Sequence, residues 1–429
     1  MKADVVLGLQ WGDEGKGKIV DVLSSQYQAV ARYHGGSNAG HTLEFDGQKI
    51  VLSVLPSGIV KKEIHNVIGS GVVLDVMTLR HELEVLESSG YRVSDWQNLS
   101  ISKKAHLILP THRLLDRLAE ERLGERKIGS TQKGIAPAYA DKVLRKGIRV
   151  ADVLQPNFEV RCRKLMEEHR NQLPQTMAKE IDLEAYYQEF MESIRVLQKF
   201  PLIDTELVLN DILNKGGSIL AEGAQATLLD LDHGSYPFVT SSNALSGGAC
   251  VGLGIAPHKI GDVYGVFKAY CTRVGNGPFP TEMEGESAAL LRTVGNEFGA
   301  VTKRSRRTGW LDLPTLKYAI MLNGVTKLII TKVDVLSAME TIQLCTHYLV
   351  EGKRVDHAST LVESDAIVPV FKEFKSWGDV GSAREESQLP TALIDYIAFL
   401  EEALMVPIAY ISVGPDRAQM VKRACFDHF

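Results

Sequence analysis

The chain has 429 residues, 45% hydrophobic and 24% charged, which places it among folded globular proteins and excludes a disordered tail. Lys and Arg number 48 against 53 Asp and Glu, a net charge of -5, so a general binder of nucleic acid or anionic membrane is excluded and any anion site must be built locally. The five cysteines (Cys162, Cys250, Cys271, Cys345, Cys425) are too scattered for a disulfide framework, no window approaches the roughly 18 apolar residues of a membrane span, and the Gly-interrupted start is too short for a signal sequence. The expected compartment is the cytoplasm.

Asp4 to Leu9 reads as a buried strand, followed by the Gly-rich run Gly12 to Lys18 and an amphipathic helix through Ile19, Val20, Val22 and Leu23. Further short apolar runs at Ala29 to Tyr33, Asn66 to Ile68, Ser218 to Leu220, Asp262 to Phe267, Lys327 to Thr331 and Ile408 to Ser412 predict strands buried on both faces. Residues 110–200 are charged and helix-forming, with Asp182 capping a helix through Leu183, Tyr187, Phe190, Ile194 and Leu197. Thr391 opens another through Leu393, Tyr396, Ile397 and Leu400. The expected fold is α/β: a large, mainly parallel central sheet flanked by helices, with a nucleotide site like that of P-loop NTPases and a helical subregion at 110–200. With no repeat and no spacer, residues 1–429 read as a single catalytic domain.

A glycine-rich turn between strand and helix presents backbone N–H groups to phosphate oxygens, and Gly12, Gly15, Lys16, Gly17 and Lys18 supply its parts. The usual G-x-x-x-x-G-K-[ST] pattern is not met, because Gln10 stands at its first glycine and Gly17 at its hydroxyl. Asp13 within such a loop repels phosphates unless a divalent cation intervenes or the carboxylate moves a proton; capping the following helix is the alternative. A second Gly-rich run, His34 to His41, offers Asn38 and His41 as polar contacts, with His41 expected to keep its proton beside anions; taken alone, a loop histidine is more often a surface or packing residue than a catalyst. Thr331-Lys332-Val333-Asp334 follows a buried strand and resembles the Asn-Lys-x-Asp loop of GTP-binding proteins, where an aspartate accepts from guanine N1–H and the 2-amino group. Ser412 to Gly414 would bring backbone donors to guanine O6. The basic cluster Lys303 to Arg307 suits a dicarboxylate, with a solvated patch as its alternative.

With these runs in hand, the chain resembles the adenylosuccinate synthetase family over nearly its whole length. Further matching blocks are Gly129 to Tyr139, Glu222 to Gln225, His233 to Asn243, Gly295 to Gly299, Arg306 to Trp310 and Gly414 to Arg417. The resemblance implies GTP-dependent ligation of IMP and L-aspartate to adenylosuccinate through a 6-phosphoryl-IMP intermediate, the step committing IMP to AMP. It implies that Asp13 takes the N1 proton and, with the Gly40 carbonyl, ligates Mg²⁺, while His41 bonds the oxygen leaving with GDP and Lys16 and Gln225 complete the catalytic group. IMP would meet Asp13, Asn38, Ala39, Thr131, Gln225, Thr240 and Arg304, with Arg145 arriving from the other subunit of a homodimer. Aspartate would meet Thr302, Arg304 and Arg306. GTP would meet Gly12, Glu14, Gly15, Lys16, Gly17, Lys18, Gly40, His41, Thr42, Arg306, Lys332, Asp334, Ser412 and Gly414.

The chain departs from the family pattern at Val301, Lys303 and Ser305 in the aspartate loop, at Gln132 to Ala136, and at Ser37. A regulatory GTP-binding protein and a paralogous ligase acting on another 6-oxopurine nucleotide are the competing readings. Against the first, a switch needs no second anion site.

Overall fold

The computed structural model describes residues 2–179, 182–298, 305–357 and 367–423. Its centre is a ten-stranded sheet of β1 (Ala3–Gly8), β2 (Ala29–Arg32), β3 (His65–Ile68), β4 (Leu99–Ser102), β5 (Leu202–Ile203), β6 (Ile219–Glu222), β7 (Ile260–Lys268), β8 (Lys327–Thr331), β9 (Ile408–Ser412) and β10 (Met420–Lys422). Their spatial order is β10-β9-β8-β7-β1-β6-β2-β3-β4-β5. Every neighbouring pair is parallel except β9 with β10.

The apolar runs form strands because both faces of the sheet are covered. In β1, Val5 and Leu7 enter one core cluster and Val6 the opposite one; in β8, Leu328 and Ile330 take the first side and Ile329 the second. That alternation is the period of two of an extended chain, buried on both sides. The seven sequence-predicted strands all lie in this sheet, with ends within about two residues of expectation, as boundary assignments vary.

Residues 110–200 carry the helices Pro110–Leu123, Ile135–Val143, Phe158–Arg170, Gln175–Lys179 and Leu183–Leu197, with no strand among the described residues of that stretch. Asp182 accepts from the N–H groups of Glu184 and Ala185, both at 3.0 Å, a cap worth about 1 kcal/mol. The apolar side of this region joins a core cluster with β3, β4 and the helix Val76–Ser88.

Three features differ from expectation. His41 is not in a loop: it is the first residue of the strand His41–Phe45, which pairs antiparallel with Gln48–Leu52. A second sheet of Leu311–Asp312, Thr341–Val350, Lys353–Val355 and Ile367–Lys375 carries strands that the search for continuous apolar runs did not register. The helix beginning at Thr391 runs four residues further, to Leu404. Among the described residues, no helix is long and apolar enough to cross a membrane, and Cys162, Cys250, Cys271 and Cys345 are free thiols.

Candidate functional site

Because β1 to β9 run parallel, their carboxyl ends share one edge of the sheet, and the loops leaving β1, β2, β6, β7, β8 and β9 meet there. In the loop after β1, Gly12, Asp13 and Gly15 all take left-handed backbone angles, with φ of 91°, 62° and 86°. Such a turn directs successive N–H groups into one concavity, and the helix Lys16–Ser24 follows it at once. A side chain at Gly17 would meet Cβ of His41 at 2.7 Å, so the helix start and the end of the second Gly-rich run are in contact.

Asp13 does not cap this helix, whose start at Gly15 receives no side-chain hydrogen bond; instead Oδ2 lies 2.6 Å from Nε of Arg306. Glu14 turns inward: Oε1 accepts from the N–H groups of Gln10 and Gly12 at 3.2 and 2.9 Å, and Oε2 from Nζ of Lys16 at 2.6 Å. Its carboxylate therefore braces the loop from within, and only its backbone remains for a nucleotide. Lys18 requires a correction as a phosphate contact. Residues 16 and 18 lie roughly 200° apart around a helix and cannot face one ligand, and Nζ of Lys18 instead donates to Oγ of Ser412 at 2.8 Å and to the carbonyls of Gly414 and Gln419 at 2.7 and 3.0 Å. Burial pulls this ammonium down to about 7, against the opposing pull of Asp334 and Asp416.

At the next loop, Nδ1 of His41 lies 2.5 Å from Oε1 of Glu222, the last residue of β6. Glu222 also accepts from Oγ and N–H of Ser57 at 2.6 and 2.8 Å. Burial pushes the imidazole below its ordinary range, and Arg32 and Lys16 add to that push against Glu222. The expectation that His41 keeps its proton supposed neighbouring anions; the protein itself surrounds the ring with one carboxylate and two cations. With Nδ1–H donated to Glu222, Nε2 is buried with no hydrogen-bond partner among the described residues.

Gln225, three residues beyond Glu222, holds a left-handed φ of 47° and donates from Nε2 to Oδ1 of Asn38 at 2.9 Å. Asn38 in turn donates to Oγ1 of Thr240 at 3.3 Å, so three residues expected on one ligand form one chain. Oε1 of Gln225, like Nε2 of His41, is buried with no hydrogen-bond partner among the described residues. Ala39 is buried beside them, and Thr42 sits on the hairpin strand opposite Val51.

The expected guanine end assembles beside the phosphate loop. Oγ1 of Thr331 donates to the carbonyl of Glu14 at 2.8 Å, tying the end of β8 to that loop. Lys332 has a left-handed φ of 64° and donates from Nζ to the carbonyl of Gly295 at 2.9 Å. Burial raises the Asp334 carboxyl, with Lys332 and Lys18 opposing, and Ser412 and Gly414 are joined to Asp334's neighbourhood through Lys18.

Arg306 sits between Asp13 and Glu297, with Nη1 2.7 Å from Oε2 of Glu297. Thr302 and Arg304 lie outside the described residues, as do the departures Val301 and Lys303. Thr131 is exposed on the turn before the helix Ile135–Val143, which docks on the second Gly-rich run through Oη of Tyr139, 3.0 Å from N of Gly35. Arg145 is exposed past the end of that helix, beside exposed Val143 and Leu144. Among the described residues, no side-chain hydrogen bond or ion pair brings it to the edge.

Two carboxylates, Glu222 and Glu297, lay inside quoted sequence blocks without a role, and their signal was their place beside a strand end and beside the basic cluster. Lys268 is buried against Glu297 at 3.1 Å, and Arg273 binds the carbonyls of Asn276 and Pro278 and Oγ of Ser235, ordering two loops. As metal donors, the Asp13 carboxylate and Gly40 carbonyl are hard oxygens of the kind magnesium takes, and the guanidinium beside Asp13 shows a cation accepted there. A separate group, His112, Asp141 and His169, is a closed network instead. The N–H of Leu109 donates to Nδ1 of His112, which leaves Nε2 protonated and aimed at Asp141, 3.0 Å away.

The family model described as adenylosuccinate synthetase matches residues 5–421. An adenylosuccinate synthetase of Bacteroides fragilis is 52% identical over 424 residues, covering 99% of each chain. That of Flavobacterium johnsoniae is also 52% identical, over 99% of this chain and 100% of its own. A fully ligated adenylosuccinate synthetase structure from Plasmodium falciparum superposes with a TM-score of 0.92 at 37% identity, covering 98% of this chain and 100% of that one. A cyanophage S-2L succinoaminodeoxyadenylate synthetase, 20% identical with a TM-score of 0.63, shares the fold.

Proposed function

The chain belongs to the adenylosuccinate synthetase family, and from that premise we propose how its own residues divide the work of joining IMP to L-aspartate at the expense of GTP. The chemistry sets the demands. The 6-oxo group of a purine leaves poorly until phosphorylated, and removing the N1 proton places negative charge on O6, making it the nucleophile. Asp13 takes that proton. O6 then attacks the γ-phosphorus of GTP, the bond to the bridging oxygen breaks, and GDP leaves. The amine of L-aspartate adds at C6, loses a proton, and expels the phosphate carrying the original O6.

Lys16 and the N–H groups of Gly15 and Gly17 hold the phosphates, and charge developing on the bridging oxygen faces Nε2 of His41. Phosphate anions reverse the electrostatics around His41, so the ring takes up a proton as the nucleotide binds. Glu222 fixes its orientation through Nδ1. Gln225, Asn38, Ala39, Thr131 and Thr240 hold IMP, with Oε1 of Gln225 facing its base, and Thr302, Arg304 and Arg306 hold L-aspartate. Asp334 reads guanine beneath the Lys332 stem, and Lys18 orders Ser412 and Gly414 at O6. The family's reaction needs a divalent metal; Asp13 and the Gly40 carbonyl would hold Mg²⁺, which would supply positive charge to neutralise the transferred group. Val143, Leu144 and Arg145 form the edge of a homodimer in which Arg145 reaches the partner's IMP, and the whole chain acts as one cytoplasmic catalytic unit.

The observation that carries this reading is the pair of buried, unpartnered atoms, Nε2 of His41 and Oε1 of Gln225, at the edge where the phosphate loop and Asp334 also lie. IMP labelled with heavy oxygen at O6 tests it. The label should appear in inorganic phosphate in step with adenylosuccinate formation; label lost to water, or phosphate free of label, contradicts transfer to O6.

A further inference from the structure

Glu297 has been described as a neighbour of Arg306, yet its surroundings point to a more specific task. The side chain is 1% exposed, and its oxygens divide their partners. Oε1 accepts from Nζ of Lys268 at 3.1 Å and Oη of Tyr270 at 2.5 Å; Oε2 accepts from Nη1 of Arg306 at 2.7 Å. The backbone repeats the link, since N–H of Arg306 donates to the Glu297 carbonyl at 3.0 Å. Burial alone would push this carboxyl up, but Lys268, Lys332 and Arg306 hold it at about 2, so it stays ionised.

Arg306 is thus held at one end by a rigid buried anion, while its Nε reaches Asp13 at 2.6 Å. A guanidinium is a flat fork that pairs one carboxylate per edge. With Nη1 committed to Glu297, the edge containing Nε serves either Asp13 or a ligand carboxylate. The turn bearing Glu297 is also bound by Lys332 through the Gly295 carbonyl at 2.9 Å.

We propose that Glu297 is a positioning residue that anchors Arg306 so that its edge bearing Nε is presented to a carboxylate of incoming L-aspartate. This rests on the reading of Arg306 as an aspartate contact. It predicts that Glu297 governs the apparent affinity for L-aspartate although it touches no substrate.

The test is steady-state kinetics of the full chain with each substrate varied in turn, for the wild type, Glu297→Gln and Glu297→Asp. Glu297→Gln presents a donor to a donor and should raise KM for L-aspartate about 10- to 100-fold, the loss expected of one charged hydrogen bond. KM for GTP and IMP should stay within about threefold. Glu297→Asp keeps the charge on a stem one methylene shorter and should recover part of the loss. Equal rises in all three KM values, or an unchanged KM for L-aspartate, would overturn the anchor. Circular dichroism confirms folding; should Glu297→Gln fail to fold, the selective rise in KM for L-aspartate must appear in Glu297→Asp, and its absence there is equally fatal. A wild type that makes no adenylosuccinate would instead overturn the reading beneath the proposal.

Discussion

Replacing Glu222 by Gln removes the charge beside His41 while leaving the size of the side chain nearly unchanged. The carboxylate is fully buried and accepts from Nδ1 of His41 at 2.5 Å, Oγ of Ser57 at 2.6 Å and N–H of Ser57 at 2.8 Å. An amide offers one oxygen and one donor nitrogen, so at least one of these donors loses its acceptor and a protonated His41 loses its counter-charge. A hydrogen bond to a charged group is worth about 1.5–3 kcal/mol, and about 1.4 kcal/mol is a factor of ten, so kcat should fall about 10- to 100-fold. The pH dependence gives a second handle. Burial already holds His41 below its ordinary range with Glu222 opposing, so loss of Glu222 lowers it further. If a protonated ring is needed, the variant's kcat should climb more steeply toward acid than that of the wild type between about pH 6 and 8. Initial rates by phosphate release across that range, with thermal melting to show the variant folded, make the assay. A kcat within about twofold of wild type in a folded variant refutes the reasoning, because a charged hydrogen bond at the reacting oxygen cannot be that cheap to lose.

Asp13→Ala should abolish product formation while the protein stays folded by circular dichroism, since the side chain is 30% exposed and its ion pair is with Arg306; retained turnover removes it from the chemistry. Asp334→Asn should shift preference from GTP toward xanthosine triphosphate, whose 2-oxo group accepts where guanine donates, and competition assays showing an unchanged preference would sink the guanine assignment. GTP binding near neutral pH should be accompanied by proton uptake, because His41 starts with a lowered pKa and gains anionic neighbours; calorimetry in buffers of differing ionisation enthalpy that finds no uptake contradicts this. Mixing Asp13→Ala and Arg145→Leu, each inactive alone, should restore activity toward about a quarter of wild type if Arg145 serves the partner's site, as half the dimers then hold one intact site in two. No recovery after exchange of subunits places Arg145 on its own chain's substrate.

The central sheet was legible because strands buried on both faces must be apolar throughout, which is why Lys327–Thr331 and Ile408–Ser412 were found to the residue. The second sheet escaped for the converse reason. Thr341–Val350 buries only Ile342, Leu344, Cys345 and Tyr348, and Ile367–Lys375 buries no residue, so polar side chains and Pro369 interrupt their apolar runs. His41 read as the end of a glycine loop because a two-stranded hairpin starting at position 41 leaves little local signal. At the site, spacing pointed to the phosphate loop, and the structure brought Gln225, Asn38 and Thr240 into one chain of hydrogen bonds. A linear motif does not register the helical turn that points Lys18 away from Lys16 and onto Ser412 and Gly414. Glu222 and Glu297 offered only their places beside a strand end and beside the basic cluster, because a buried carboxylate acquires its role from what folding brings to it.

The most direct test of the account is to incubate the purified chain with Mg²⁺, GTP, IMP and L-aspartate, omit each in turn, and follow adenylosuccinate, GDP and phosphate by chromatography and mass spectrometry. The account predicts adenylosuccinate, GDP and phosphate in equal amounts, with no adenylosuccinate when any one component is left out. GDP and phosphate formed without adenylosuccinate, or at an undiminished rate without IMP, would contradict it.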